Sequence, residues 1–450
     1  MHKNTIVTIL GTGYVGLTTA ALLANSGYTV YAVEPNKARL DVIKQGKSFF
    51  YEQGLDSLIQ AAFAKGSLIP TDSYEESIPK SQIVFSCVGT PDNPDGSSNL
   101  TYVFHAAKEA VLHLASGSIY VQKSTVPVGT GAQIEALFRK DAKSLAYVSN
   151  PEFLREGTAL YDSLFFDRVV VGGTDTETIE RIVQTYRTLE THRETIAAIA
   201  QIPVGHYESQ YITTSLESAE LIKVTSNAFL ALKISFANSI AMLADKANAD
   251  ITDVMNGVGA DTRIGRAFLS AGRGYGGGCF PKDVSGLIAS SRQYGVDLPI
   301  MTAAQAVNDA MPHYITTKLQ AQMNGDLTAK NIAVLGLAFK AGTSDVRRSP
   351  GIALANTLRQ AGAIVTAYDP QVQKGAADGL ADDVSHHHSL ETAVKDVDAI
   401  VIATEWPELL TYPIISYARL MKGTVLCDAV NQLDRSLVEE AGLVYIGVGR

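Results

Sequence analysis

Residues 5–34 read TIVTILGTGYVGLTTAALLANSGYTVYAVE. An apolar run, Thr5 to Leu10, enters the turn GTGYVG (Gly11, Thr12, Gly13, Tyr14, Val15, Gly16), which opens a helical segment from Leu17 to Asn25. A second β-rich run, Thr29 to Glu34, ends on an acid. Glycines at this spacing serve a tight turn, a close approach of backbone to a pyrophosphate, and helix–strand packing; the helix start offers N–H groups to the phosphates. Glu34 stands where an acid hydrogen-bonds the adenosine ribose. Its charge would repel a 2′-phosphate, so the expected cofactor is NAD rather than NADP. A lone motif of this kind is weak. Strand, turn, helix, strand and acid in order disfavour a glycine turn that binds nothing.

Outward from this unit, the theme returns near the other end of the chain. Asn331 to Leu335 is followed by Gly336, a helix-like stretch from Gly351 to Gln360, and a run from Ala363 to Asp369 that again ends on an acid. Further strand candidates are Ile83 to Val88, Ser118 to Val121, Ala399 to Ala403 and Thr424 to Cys427. Strands alternating with helical patterns signal parallel sheets with crossover helices. Between the halves, Glu217 to Asn248 has little Gly or Pro, and Leu221, Val224, Ala228, Leu232 and Phe236 recur at helical spacing. Its apolar content exceeds what one narrow face needs, so a homodimer through this helix is expected. The fold class is α/β, with two Rossmann-like doubly wound parallel-sheet domains joined by a long central helical connector. The expected domains are 1–205, binding NAD; 206–305, helical and dimerising, with a cysteine loop; and 306–450, a second Rossmann-like domain.

The totals agree with a large α/β chain: 450 residues, 46% hydrophobic, net charge −9. No block of Lys and Arg marks a nucleic-acid surface. No uninterrupted apolar stretch is long enough to cross a bilayer, and no signal peptide is legible, so neither nucleic acid nor membrane is an expected partner and the cytoplasm is the expected compartment. Three scattered cysteines, Cys87, Cys279 and Cys427, make neither a disulfide framework nor a structural zinc site. No metal is expected, and His386 to His388 read as a solvated loop.

Three motifs carry candidate chemistry. AGRGYGGGCFPKD, Ala271 to Asp283, sets Cys279 among glycines and before Lys282 and Asp283. A thiol beside a cation and flexible backbone amides can have a lowered pKa and act as a nucleophile. A buried packing role suits Cys87 and Cys427, which end apolar runs, better than it suits Cys279. On the connector, Glu220, Lys223 and Asn227 share a helix face, either as an ordinary solvated Glu–Lys pair or as a lysine and an amide that polarise a substrate oxygen. In NPEFLREG, Asn150 to Gly157, Asn150 caps an expected helix starting at Pro151, with Glu152 and Glu156 on one face. Helix-dipole and proton-transfer readings of Glu152 both stay open.

Together these pieces resemble the UDP-glucose and GDP-mannose dehydrogenase family. The resemblance runs through GTGYVGL at Gly11, VGTP at Val88, DGS at Asp95, KSTVPVGT at Lys123, NPEFLREG at Asn150, AELIKVTSNAFLALKISFAN at Ala219, DTRIG at Asp261, GYGGGCFPKD at Gly274 and LGLAFKAGTSDVRRSP at Leu335. The cysteine loop is most similar to the UDP-glucose branch. What the resemblance implies is a four-electron oxidation of a UDP-sugar at C6, consuming two NAD. An aldehyde forms first, Cys279 adds to it, and the thiohemiacetal is oxidised to a thioester that water releases as the uronate. It assigns oxyanion stabilisation to Lys223 with Asn227, a held water to Asp283, proton transfer or hydrolysis to Glu152, and water orientation to Thr125. Thr90, Ser124, Glu156 and Arg347 would lie near the cofactor, with Arg39 over the adenine. Phe153, Leu154, Phe268, Tyr275, Gly276, Phe339 and Lys340 would contact the UDP-sugar in a UDP-sugar-binding C-terminal domain, as would Arg263, reaching into a neighbouring subunit.

Two positions depart from the common pattern. Arg273 replaces an uncharged residue, to touch phosphate or face solvent. Gly278 replaces a serine or bulkier residue, with added freedom beside Cys279 and looser sugar specificity. The rival readings are the same chemistry on a UDP-N-acetylhexosamine or GDP-mannose, a two-electron hydroxy-acid dehydrogenase, and a non-catalytic nucleotide-sugar sensor. The last two leave Cys279 without work.

Overall fold

The computed structural model describes residues 5–140, 145–205, 208–373 and 375–450. The chain divides into two compact units, Met1–Ser226 and Asn227–Arg450.

Among the described residues, the first unit holds an eight-stranded sheet: β1 (Ile6–Leu10), β2 (Thr29–Val33), β3 (Leu68–Thr71), β4 (Ile83–Ser86), β5 (Ile119–Gln122), β6 (Ala146–Ser149), β7 (Arg168–Gly173) and β8 (Gln210–Thr214), ordered β3-β2-β1-β4-β5-β6-β7-β8. β1 pairs in parallel with both β2 and β4, placing Val7 beside Val30 and Ile83. The strand order therefore reverses at β1/β4, and the loops leaving these two strands open on one crevice. The sheet is parallel through β6. β7 then pairs antiparallel with β6, which the sequence pattern did not announce, and β8 follows β7 in parallel. The helix Tyr14–Asn25 is buried from Gly16 onward. Its Ala, Leu and Thr residues are apolar or small all round, as a helix enclosed on several sides requires.

In the second unit, β9 (Asn331–Leu335), β10 (Ile364–Tyr368), β11 (Ser385–His386), β12 (Ala399–Ile402), β13 (Val425–Asp428) and β14 (Val444–Gly447) form a parallel sheet ordered β11-β10-β9-β12-β13-β14. This repeats the first six positions of the other sheet, with its reversal at β9/β12. Of the solvated loop expected at His386 to His388, His387 and His388 do lie in a loop, with His388 exposed, and only His386 is corrected here. His386 pairs into β11 beside Ala367 and is buried, because the sheet edge needs a third strand to cover β10.

The connector is one helix, Leu216–Ala247, of 32 residues. By length and hydropathy it also qualifies as a membrane span, with 44% of its most apolar window buried inside the protein. Its buried Ala237, Ala241 and Ala244 join Met311, Ile315 and Leu319 of the helix Pro299–Gln322 and the second sheet in one core. The first unit's two cores draw on residues from Val7 to Leu216.

Candidate active site

In the first unit, Gly11 follows β1 with φ +86°, and its N–H is bound by the Val33 carbonyl at 3.0 Å. A Cβ on Gly16 would lie 1.8 Å from the Gly11 carbonyl oxygen, whereas one on Gly13 would meet nothing within 4 Å. Gly16 is thus needed by the fold itself, and Gly13 by whatever approaches the open side of the turn. Glu34 is buried just beyond β2. Thr12 Oγ1 donates to one of its oxygens and Asn36 N–H to the other, leaving lone pairs on both.

Lys223, on the connector, is buried and lies 3.4 Å from Glu152. The other Glu152 oxygen accepts the Leu154 N–H at 2.7 Å. The expected helix at Pro151 is absent: 151–155 is irregular, and the next helix is Ala159–Leu164. Asn150 is not a cap, because its amide donates to the Val170 carbonyl and its oxygen accepts from Tyr186. These crosswise bonds hold the segment open and turn Glu152 toward Lys223, off any common face with Glu156, which is also buried. The Phe153 ring carries Arg168 at 4.0 Å and Lys223 at 5.3 Å. Glu220 does not pair with Lys223 either. It accepts the Gly129 and Gly131 N–H groups, at 2.7 Å each, where the helix Thr130–Lys140 begins. Thr125 is half-buried after β5, and Ser124 Oγ donates to the Val88 carbonyl at 2.7 Å.

In the second unit, Cys279 caps the helix Phe280–Gln293 and is half-buried. That position aims the positive end of the helix at the thiol. One turn on, buried Asp283 accepts from Asn227 Nδ2 at 2.6 Å and from Lys282 Nζ at 2.7 Å. Burial pushes the thiols of Cys87 and Cys427 up to about 12, leaving them un-ionised at neutral pH. The glycines before Cys279 bring the loop against the protein's own backbone and side chains. Cβ atoms at Gly276, Gly277 and Gly278 would lie 2.3 Å from the Arg348 carbonyl oxygen, 2.7 Å from the Phe339 ring and 2.6 Å from the Arg347 guanidinium. The freedom expected at Gly278 is therefore occupied by Arg347, which a bidentate pair with Asp345 holds in place. Phe268 adopts φ +64°, a strained conformation for a bulky residue, with its ring 6.0 Å from Phe280, itself 6.1 Å from Tyr275. Arg263 is exposed and folded onto Asp261.

The second unit's own turn is filled. Its acid, Asp369, accepts from the backbone of Leu337, Ala338, Gln371 and Val372 and from Trp406 Nε1, and Thr404 occupies the space a Cβ on Gly336 would need.

Three family models match the chain: the NAD binding, central and UDP binding domains of the UDP-glucose/GDP-mannose dehydrogenase family, at residues 5–190, 217–310 and 333–435. The chain belongs to that family. It is 38% identical to the UDP-glucose 6-dehydrogenase YwqF of Bacillus subtilis, over 99% of this chain and 97% of that protein. Among solved structures, a UDP-glucose dehydrogenase from Pyrobaculum islandicum superposes with TM-score 0.88 at 33% identity, covering 99% of this chain and 98% of that one. A UDP-D-ManNAc dehydrogenase from Pyrococcus horikoshii gives 0.86 at 26% identity, with 99% of each chain covered.

As a member of this dehydrogenase family the protein uses NAD, and the first unit's turn fits it: Gly13 is open, the helix start is free of side-chain caps, and Glu34 keeps lone pairs for ribose hydroxyls. Arg39 is stacked 4.9 Å over Phe49 near this turn. In the second unit, where the family's UDP binding domain lies, Lys340 is stacked 5.7 Å over the Phe339 ring, just past the end of β9. The residues that sequence reasoning missed are Glu220 as a helix anchor, Arg168, and Glu405, which pairs with Arg273 at 3.0 Å. The partners of Glu220 and Glu405 lie 89 or more and 132 residues away, and Arg168 meets Phe153 across 15 residues that include no shared element, so no local spacing signals them.

Proposed function

We propose that this dehydrogenase oxidises the C6 alcohol of UDP-glucose to the carboxylate, using two NAD and one water, through a thioester on Cys279. The observation that carries the reading is Cys279, half-buried at a helix N-terminus, with Asp283, Asn227 and Lys282 bonded together one turn behind it. A two-electron dehydrogenase has no use for such a thiol.

When bound, NAD supplies the acceptor for both hydrides. In the first oxidation the C6 hydroxyl gives up its proton and its carbon a hydride, leaving an aldehyde. Cys279 Sγ then bonds to that carbon, and the carbonyl pair moves onto oxygen, where Lys223 and Asn227 stabilise the negative charge. Loss of a second hydride leaves the thioester. Water oriented by Thr125 adds to it, giving its proton toward Glu152, and the C–S bond breaks to return the thiolate and the uronate. The reading requires Lys223 and Cys279 to act on one carbon. On the side of Cys279, Asn227 is bonded to Asp283 in the helix that Cys279 caps. Phe153, Leu154, Phe268, Tyr275, Gly276, Phe339, Lys340 and Arg263 are assigned to the UDP-sugar, and Thr90, Ser124, Glu156 and Arg347 to the cofactor side.

The reading also makes the protein a homodimer through the connector. Phe229, Phe236 and Leu243, seven residues apart, are 58%, 47% and 62% exposed on one face of that helix.

The test is NADH formed per limiting UDP-glucose by the wild type and by Cys279→Ser. Two NADH per sugar, with turnover in the variant reduced at least 100-fold, is expected. One NADH per sugar with full activity in Cys279→Ser sinks the mechanism. Turnover of UDP-N-acetyl sugars or GDP-mannose but not UDP-glucose replaces the substrate.

A further inference from the structure

Arg273, the charged departure in the cysteine loop, does not face solvent. It is buried, and its Nη2 donates both to the Phe339 carbonyl at 2.9 Å and to Glu405 at 3.0 Å. Glu405 follows β12, and its other oxygen accepts the Ala341 N–H at 3.3 Å. The pair therefore grips the backbone on both sides of Lys340, at the carbonyl before it and the amide after it. This lies where the loops of β9 and β12 leave the reversal point of the second sheet, the position at which open α/β sheets bind ligands.

We propose that Arg273 and Glu405 are positioning residues for substrate, a clamp that presents Lys340 and Phe339 to the UDP-sugar. The inference rests on the reading above for its substrate and adds residues which that reading leaves idle. The rest of the cysteine loop has separate fastenings: Arg273 N–H to the Ala429 carbonyl, Tyr275 N–H to Asn308, and Gly277 N–H to the Arg347 carbonyl. Loss of the Arg273 side chain leaves these in place and frees only the segment 339–341. The defect thus falls on binding of the UDP-sugar and not on the thiol chemistry. Burial favours the neutral form of Glu405, but the Arg273 charge and backbone N–H groups outweigh it and hold the carboxyl below its ordinary value. The clamp is accordingly ionised at neutral pH.

The experiment measures KM for UDP-glucose and for NAD, and kcat, in wild type, Arg273→Met, Arg273→Lys and Glu405→Gln. In parallel, UDP alone is titrated by the emission of Trp406, the single tryptophan, which is buried next to Glu405. Arg273→Met is expected to raise KM for UDP-glucose about 10-fold and to weaken UDP binding equally, with kcat and KM for NAD within about twofold. Arg273→Lys, whose ammonium can replace Nη2, is expected to recover most of the loss. A KM for UDP-glucose within twofold of wild type in Arg273→Met, a parallel rise in KM for NAD, or no recovery by lysine overturns the clamp. Should Arg273→Met not fold, Glu405→Gln decides alone: a threefold or larger rise is expected, and no change overturns it. If even the wild type leaves UDP-glucose untouched, the functional reading fails. The UDP titration then judges the clamp by the same criteria.

Discussion

Glu220 shows how much one side chain can carry without touching a reacting atom. It closes two backbone N–H groups at a helix start and stands one turn before Lys223. Burial pushes its carboxyl up to about 7, against the two amides that lower it, with Glu217 adding to the rise and Tyr147 facing it from β6. A folded-state value above the unfolded one means that the contribution to stability is complete below about 4.5 and is lost as pH rises through 7. Between pH 4.5 and 8 the wild type is expected to lose up to about 3 kcal/mol relative to Glu220→Gln, read from urea midpoints at the two pH values. An equal gap at both would contradict the assignment. At this scale the sequence showed which residue types matter and not whom they meet. Cys279 stood out because a glycine-rich loop is an odd seat for a packing residue. The bonds Lys223–Glu152 and Arg273–Glu405 join residues 71 and 132 apart, and only the folded chain brings them together.

Elements were legible wherever their cause is local. The glycine turn, its helix and the connector follow from spacing alone, and the connector's ends fall within two residues of those expected. The helix expected at Pro151 fails for the opposite reason. A good cap followed by proline was overridden by Asn150 bonding across to β7 and Tyr186. The turn also separates two glycines that look equivalent on paper. Gly16→Ala drives a Cβ into backbone and is expected to cost about 1–3 kcal/mol of stability along with NAD binding. Gly13→Ala meets only open space, so the unliganded protein should unfold at the wild-type denaturant concentration while NAD affinity falls at least 10-fold. Denaturation curves and NAD titrations of both variants check this. Wild-type stability in Gly16→Ala, or wild-type affinity in Gly13→Ala, would refute it.

At the scale of the whole molecule, the two-lobed architecture was readable because each lobe announces its first strand, its turn and its acid. The similarity of those signals hid a difference in use: Glu34 keeps lone pairs for a ligand, while Asp369 spends its oxygens on five protein donors. The connector's exposed apolar face predicts assembly. Phe229→Asp with Phe236→Asp is expected to turn a dimer into a monomer by sedimentation at micromolar concentration, and an unchanged mass would refute the interface. The separation of the cores has a consequence in time. Every buried residue of the first unit's cores precedes residue 217, and the other core begins at Ala237. On the ribosome, the half that binds NAD can finish folding while the cysteine-bearing half is still being made, so the newborn chain acquires a place for its cofactor before its cysteine loop exists.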